Sequence, residues 1–255
     1  MRLRVGLRKT SLVDYPGRVA ATLFFPGCNL RCPWCHNPEL VRPSGGSPGE
    51  DGLVDLDSAI SLVEGRRALL GGVVLSGGEP TLRDELPEIV SRFRAMLIPV
   101  KLDTNGTRPE ALAFLLADAS TRPDYVAMDL KLAPERYVEL AGPRSGSDRR
   151  AESAEAAEAP VVLAEAVARS AAILAASGVA HEFRSLAFPG DWFDEADLAA
   201  LAPLVDDAPW YFAPFRPGNC LEAEWNDRPA CVPADAQRLA ALARSYGKRG
   251  EVRSA

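Results

Sequence analysis

The chain has 255 residues, 47% of them hydrophobic and 25% charged, with a formal net charge of −6. That length and balance allow a substantial buried core in one α/β domain, and they argue against a disordered polypeptide. Negative net charge disfavours non-specific attraction to nucleic acid or an anionic membrane. No apolar run approaches the roughly 18 to 20 residues of a membrane span, and the N-terminal MRLRVGLRKT lacks the apolar core of a signal peptide, so a cytoplasmic protein is expected.

The first strand is predicted over 18–25 (RVAATLFF), β-branched and apolar, with the cysteine-bearing run PGCNLRCPWCHNPEL leaving its end. After a Gly/Pro/Ser stretch over 43–52, a helix with Leu56, Ile60 and Val63 on one face leads to a second strand, 73–76. Gly77-Gly78-Glu79-Pro80 follows it. Thr81 and Asp84 are placed to cap a helix with Leu86, Ile89, Val90 and Phe93 inward, and a third strand, 99–103, ends in Asp103-Thr104-Asn105-Gly106. A helix over 109–116 feeds a fourth strand, 125–130, which runs into Lys131.

Residues 142–159 (GPRSGSDRRAESAEAAEA) nearly lack large apolar side chains and read as an exposed insertion. A helix with Leu163, Val167 and Leu174 then ends at Gly178, before a fifth strand over 182–188. A further helix over 194–204 precedes a sixth strand over 210–215, and a C-terminal helix over 233–246 packs outside. Parallel strands with crossover helices of this kind form a partial (β/α)6 TIM-like barrel with outer helices. The expected layout is a single domain over 1–255, with a barrel core over 18–215 and a helical extension over 216–255.

Five cysteines is an odd number, and Cys28, Cys32 and Cys35 fall within eight residues, which fits metal binding in a reducing compartment better than a disulfide framework. A [4Fe-4S] cluster takes a thiolate on each iron, so three cysteines leave one iron free. The same loop with His36 also admits a structural zinc site of the Cys3His kind, although adjacent Cys35 and His36 would strain one tetrahedral ion. Chemistry in α/β barrels gathers on the loops at the C-terminal strand ends. Here four such ends carry the cysteine loop, Gly77 to Pro80, Asp103 to Gly106, and Asp129-Leu130-Lys131, which are expected to converge on one rim.

These motifs, in this order, resemble the radical S-adenosylmethionine enzymes. The run GLRKTSLVDYPGRVAATLFFPGCNLRCPWCHNPEL is similar to the activases of glycyl radical enzymes, in the branch of anaerobic ribonucleoside-triphosphate reductase activating proteins of the pyruvate formate-lyase activase type. The resemblance runs from about Gly6 to Pro217, with 142–159 outside it. It implies that Cys28, Cys32 and Cys35 hold three irons of one [4Fe-4S] cluster, and that S-adenosylmethionine chelates the fourth. It further implies that Gly77 and Gly78 let backbone approach the methionine amino group, with Glu79 as its carboxylate partner. Asp103, Thr104, Asn105, Asp129 and Lys131 would reach the ribose and the methionine carboxylate. Trp34 would pack near the adenine or the cluster, and Arg184 would lie near the cosubstrate.

The implied activity is reductive cleavage of S-adenosylmethionine and formation of a glycyl radical on a partner enzyme, with flavodoxin or ferredoxin as electron donor. A radical S-adenosylmethionine enzyme acting on a small molecule, in the manner of the deazaguanine synthases, is the alternative. A zinc-stabilised binding module without catalysis is a second. Taken singly, each motif also has an ordinary reading: paired glycines mark turns, Asp103 to Gly106 can be an Asx turn, and Lys131 can be a solvated lysine. Arg184 could serve a salt bridge, His181 a surface position at a strand start, and 215–219 a structural turn or the mouth for a substrate loop. Cys220 and Cys231 read as free thiols.

Overall fold

A computed structural model describes residues 3–41, 52–141, 155–190 and 192–253, with the side chains of 155–161 left aside. Most of the expected Gly/Pro/Ser stretch and residues 142–154 of the expected insertion lie outside the described residues.

All six expected strands form. They are β2 (Arg18–Phe25), β4 (Gly72–Gly77), β5 (Val100–Thr104), β6 (Tyr125–Asp129), β7 (Ala180–Ala187) and β8 (Pro209–Pro214), each parallel to the next. The sheet is wider than the expected barrel. β1 (Arg4–Tyr15) pairs antiparallel with β2, β3 (Val54–Asp55) pairs with the start of β1, and β9 (Arg249–Val252) runs parallel to β8, giving the order β3-β1-β2-β4-β5-β6-β7-β8-β9. The six parallel strands lie within 18–215, β1 precedes that span, and the segment after it carries β9 as well as α7. β1 escaped notice because its register with β2 shifts twice and Arg8, Lys9 and Thr10 are exposed, which breaks the alternation that marks a strand. Pro16-Gly17 turns β1 into β2, with Gly17 at a φ of 71°.

Strand alternation divides the sheet into two chemical faces. Leu23, Phe25, Val73, Leu75, Val100, Leu102, Val126, Met128 and Phe183 belong to the main apolar core. The helices that share that core are α2 (Leu56–Gly65), α3 (Leu86–Ala95), α4 (Pro109–Ala117), α5 (Glu155–Ser177), α6 (Glu195–Leu201) and α7 (Pro233–Ser245); α1 is a single turn, Pro38–Val41. The intervening positions Lys101, Asp103, Asp129, Glu182 and Arg184 form one charged network on the other face. α5 starts at Glu155, so the last five residues of the expected insertion are helical. Their Ala/Glu composition favours helix without needing an apolar stripe. Thr81 and Asp84 do not cap α3, whose N-cap is Glu85; Thr81 sits in a 3-10 turn, Pro80–Leu82, and bonds Glu79 instead. Among the described residues no helix is long and apolar enough to cross a membrane.

Candidate active site

The cysteine loop is clamped from both sides. Arg31 donates from its backbone N–H to Leu140 O at 2.7 Å and from its guanidinium to Cys28 O at 2.6 Å, while Arg83 donates to the Pro26 carbonyl. From the far side, the segment after β8 bonds Glu222 N to Pro33 O at 3.0 Å and Asn219 Nδ2 to His36 O at 3.2 Å, and His36 Nε2 donates to Arg216 O at 2.8 Å. Residues 215–219 thus brace the cysteine loop. Trp34 is buried against Phe188, Trp225 and Trp192, with ring centroids 4.8, 5.2 and 5.9 Å away. Cys32 is buried and Cys28 and Cys35 partly so. Burial raises all three thiols, Cys32 to about 12, with the Lys131 cation acting against it each time.

The loops after β4 and β5 lock onto this one. Gly78 N donates to Phe25 O and Glu79 N to Gly27 O, both at 2.8 Å. A Cβ on Gly78 would fall 2.6 Å from the Gly27 carbonyl carbon. One on Gly77, at a φ of 126°, would lie 2.5 Å from Phe25 O. The glycines therefore serve the contact between two loops, for which only a residue without Cβ has room. Glu79, 1% exposed, is a hub: its Oε1 accepts from Thr81 N (3.1 Å), Thr81 Oγ1 (2.6 Å) and Thr104 Oγ1 (2.8 Å), and its Oε2 from Asn105 N (2.6 Å). Burial pushes its carboxyl up against the pull of those donors. Oε2 takes only one donor here and has a lone pair for another. Asn105 in turn reaches Asn29 and Thr107.

Beside these loops runs a row of alternating charge on the inner face of β5, β6 and β7. Lys101 pairs with Asp103, Arg184 lies 3.4 Å from Asp103 and 2.8 Å from Asp129, and Lys131 lies 3.1 Å from Asp129. Burial would raise both aspartates, but the Arg184 guanidinium, with Lys101 at Asp103 and Lys131 at Asp129, holds them below the usual range, Asp129 at about 2. Lys131 and Arg184 are raised by the same carboxylates against their own burial. Lys101 is fully buried and its ammonium is lowered by that burial. Three cations against two carboxylates leave the row with room for an anionic group.

A cavity of about 220 Å³ is lined by the three cysteines, Trp34, Gly77, Gly78, Glu79, Asp103, Thr104, Asn105, Asp129, Lys131 and Arg184. Every site residue named from the sequence is on that wall. A second cavity of about 670 Å³ shares Trp34, Asp103, Asp129, Lys131 and Arg184, and is also lined by Leu12, Val13 and Asp14 of β1 and by Tyr211, Val252 and Arg253 near the other end of the sheet. Lys101, Asn29, Thr81 and Thr107 were missed. Lys101 had a signal, as the position on the same strand face as Asp103. Glu182 and Arg253, paired at 2.7 and 2.6 Å, had none, since Arg253 lies 71 residues away. His181 is no surface residue: its side chain is 9% exposed and its Nε2 meets Asp206 at 3.1 Å. Cys220 and Cys231 are free and buried.

The sequence profile of the Radical SAM superfamily matches residues 22–159, from β2 through the cysteine loop and the β4, β5 and β6 termini into α5. The chain belongs to this superfamily. Among related radical SAM proteins, a candidate glycyl-radical enzyme activating enzyme of Methanocaldococcus jannaschii is 28% identical over 244 residues, covering 94% of this chain and 91% of that one. The pyruvate formate-lyase-activating enzyme of Listeria monocytogenes is 34% identical over 134 residues, covering 50% of this chain and 53% of that one. QueE from Escherichia coli shares the fold at a TM-score of 0.54 and 15% identity, with 100% of this chain and 95% of that one covered. Membership implies a [4Fe-4S] cluster and S-adenosylmethionine. The donor set fits them: Cys28, Cys32 and Cys35 line one cavity together with Glu79, Asp103, Asp129, Lys131 and Arg184.

Proposed function

We propose that this radical SAM protein is an activase that cleaves S-adenosylmethionine reductively and installs a glycyl radical on a partner enzyme, anaerobic ribonucleotide reductase or a related one. Cys28, Cys32 and Cys35 would hold three irons of the cluster and leave the fourth open to the amino and carboxylate groups of S-adenosylmethionine. When bound, the cluster supplies one low-potential electron to the sulfonium. That chemistry would cleave the C5′–S bond to give methionine and a 5′-deoxyadenosyl radical, and the radical would take a hydrogen atom from a glycine Cα of the partner and leave as 5′-deoxyadenosine. A flavodoxin or ferredoxin delivers the electron.

The chain's own residues bind and orient. Glu79 Oε2 has a lone pair for the methionine ammonium, Lys131 and Arg184 suit its carboxylate, and Asp103 and Asp129 retain acceptor capacity for the ribose hydroxyls. The observation that carries the reading is the shared wall of the two cavities: the charged row faces the cysteine loop on one side and a larger chamber on the other. That chamber is lined by exposed Leu12 and Val13, 75% and 63% accessible, an apolar lip suited to a polypeptide. The full-length relative from Methanocaldococcus jannaschii supports the same class.

The test is anaerobic reconstitution followed by reduction with S-adenosylmethionine and a candidate glycyl radical enzyme. The expected result is four irons per chain, 5′-deoxyadenosine, and a glycyl radical signal by electron paramagnetic resonance on the partner. Cleavage that yields a small-molecule product with no glycyl radical would favour the deazaguanine synthase-like alternative. A colourless protein with one zinc would sink the enzyme reading.

A further inference from the structure

We infer that Asn105 is a positioning residue that sets the electron affinity of the site through Cys28; the inference rests on the reading of the three thiols as cluster ligands. Among the described residues Cys28 is the one thiol of the three to receive a side-chain donor, Asn105 Nδ2 at 3.9 Å, beside the Leu30 N–H at 3.4 Å. The Asn105 amide has no freedom to turn. Its Oδ1 accepts from Thr107 N (3.0 Å) and Thr107 Oγ1 (2.6 Å), and its Nδ2 also donates to Asn29 Oδ1 (3.1 Å). Asn29 Nδ2 closes the circuit by donating to Thr107 Oγ1 at 2.7 Å.

Rotating the amide by half a turn would set Nδ2 against the Thr107 N–H and Oδ1 against both Asn29 Oδ1 and the sulfur. The backbone of Asn105 is pinned as well, by Glu79 Oε2 at 2.6 Å, and the residue is 4% exposed. A donor so fixed at a ligand sulfur favours whichever oxidation state carries more negative charge there. It therefore favours the reduced form and raises the potential, since hydrogen bonds to cluster sulfurs are one of the protein's levers on it.

The test compares wild-type protein with Asn105→Leu, Thr107→Val and Thr107→Ser, each reconstituted anaerobically, assayed for iron and sulfide, and titrated for cluster potential by electron paramagnetic resonance. Asn105→Leu removes the donor at similar volume and without adding charge, and is expected to cut the ratio of reduced to oxidised cluster at fixed poise about tenfold, a shift of about 59 mV to more negative potential. Thr107→Val removes the hydroxyl that donates to Oδ1 and accepts from Asn29, leaving Oδ1 held by the backbone N–H alone; it does not touch Cys28 and should shift the midpoint the same way by less, while Thr107→Ser keeps the hydroxyl and the wild-type potential. If Asn105→Leu does not fold, the Thr107 pair decides alone. A network that merely braces the loop would lower the melting temperature at an unmoved potential, and that result overturns the inference while leaving the enzyme reading intact. Wild-type protein that takes up no cluster overturns both.

Discussion

Replacing Gly78 by Ala is the sharpest steric test of how the site is assembled. The added Cβ would fall 2.6 Å from the Gly27 carbonyl carbon, about 1 Å inside the roughly 3.5 Å at which carbon atoms rest. The obstructing atoms are backbone, so no side chain can rotate away, and the β4 loop must lift from the cysteine loop. Two hydrogen bonds go with it, Gly78 N to Phe25 O and Glu79 N to Gly27 O. Leaving such buried groups unpaired costs about 1–3 kcal/mol each, so the expected loss is about 2–6 kcal/mol of unfolding free energy, with poor cluster uptake because Cys28 follows Gly27 directly. Gly178→Ala is the control for strain without a clash: Gly178, unlike Gly78, has a positive φ, 69°, but nothing lies within 4 Å, so it should lose only the roughly 1–2 kcal/mol of left-handed strain. Urea unfolding and iron content after reconstitution read both variants. Gly78→Ala with full iron and no more destabilisation than Gly178→Ala would refute the packing argument.

The charge row has a pH signature. Asp129 is depressed from 3.8 to about 2, about 2 kcal/mol of stability that is present above pH 4 and lost as pH falls toward 2. The Arg184 charge is the largest single cause of that depression, so Arg184→Gln is expected to lower unfolding free energy by about 1–2 kcal/mol at pH 7, with the difference from wild type narrowing as denaturation is repeated below pH 4. Glu79→Gln must turn an amide N–H toward at least one of the four donors on that carboxylate. It should cost about 1–3 kcal/mol and weaken S-adenosylmethionine binding by calorimetry while the iron content holds. Ala at any one of Cys28, Cys32 or Cys35 should abolish reductive cleavage, whereas Cys220→Ala should retain it; equal loss at Cys220 would move the site.

What could be read from the chain was whatever local pattern encodes. The six parallel strands are short apolar runs with turn signals, and the motifs at their ends announce themselves by residue type, so the cavity wall from Cys28 to Arg184 was nameable in advance. What stayed hidden is set by pairing over distance. β1 lies next to the two-residue edge strand β3 and has a broken register, β9 lies beyond α7, and neither carries a local signal strong enough to distinguish it from a loop. The role of 215–219 was equally hidden, because its contacts with His36 span about 180 residues of sequence. The glycines signal close approach by their type, but only the register of Gly77 opposite Phe25 and the contact of Gly78 with Gly27 show that one approaching group is the backbone leading into the cysteine loop.

The late-joining strands also explain how a charged interior is tolerated. Lys101 and Glu182 are both 0% exposed, and an isolated buried charge of either sign costs far more than a fold of this size can offset. Lys101 is neutralised by Asp103 on its own strand face, a local solution. Glu182 has Arg184 beside it on β7, but that guanidinium pairs with Asp103 and Asp129, and the counter-charge hydrogen-bonded to Glu182 is Arg253, which lies just past β9 and is stacked 4.1 Å over Tyr211. β9 thus completes the electrostatics of the inner face. With Glu182 committed to Arg253 and Tyr125, the Arg184 guanidinium on the same strand is left to Asp103 and Asp129, where it holds the two carboxylates ionised at the wall both cavities share.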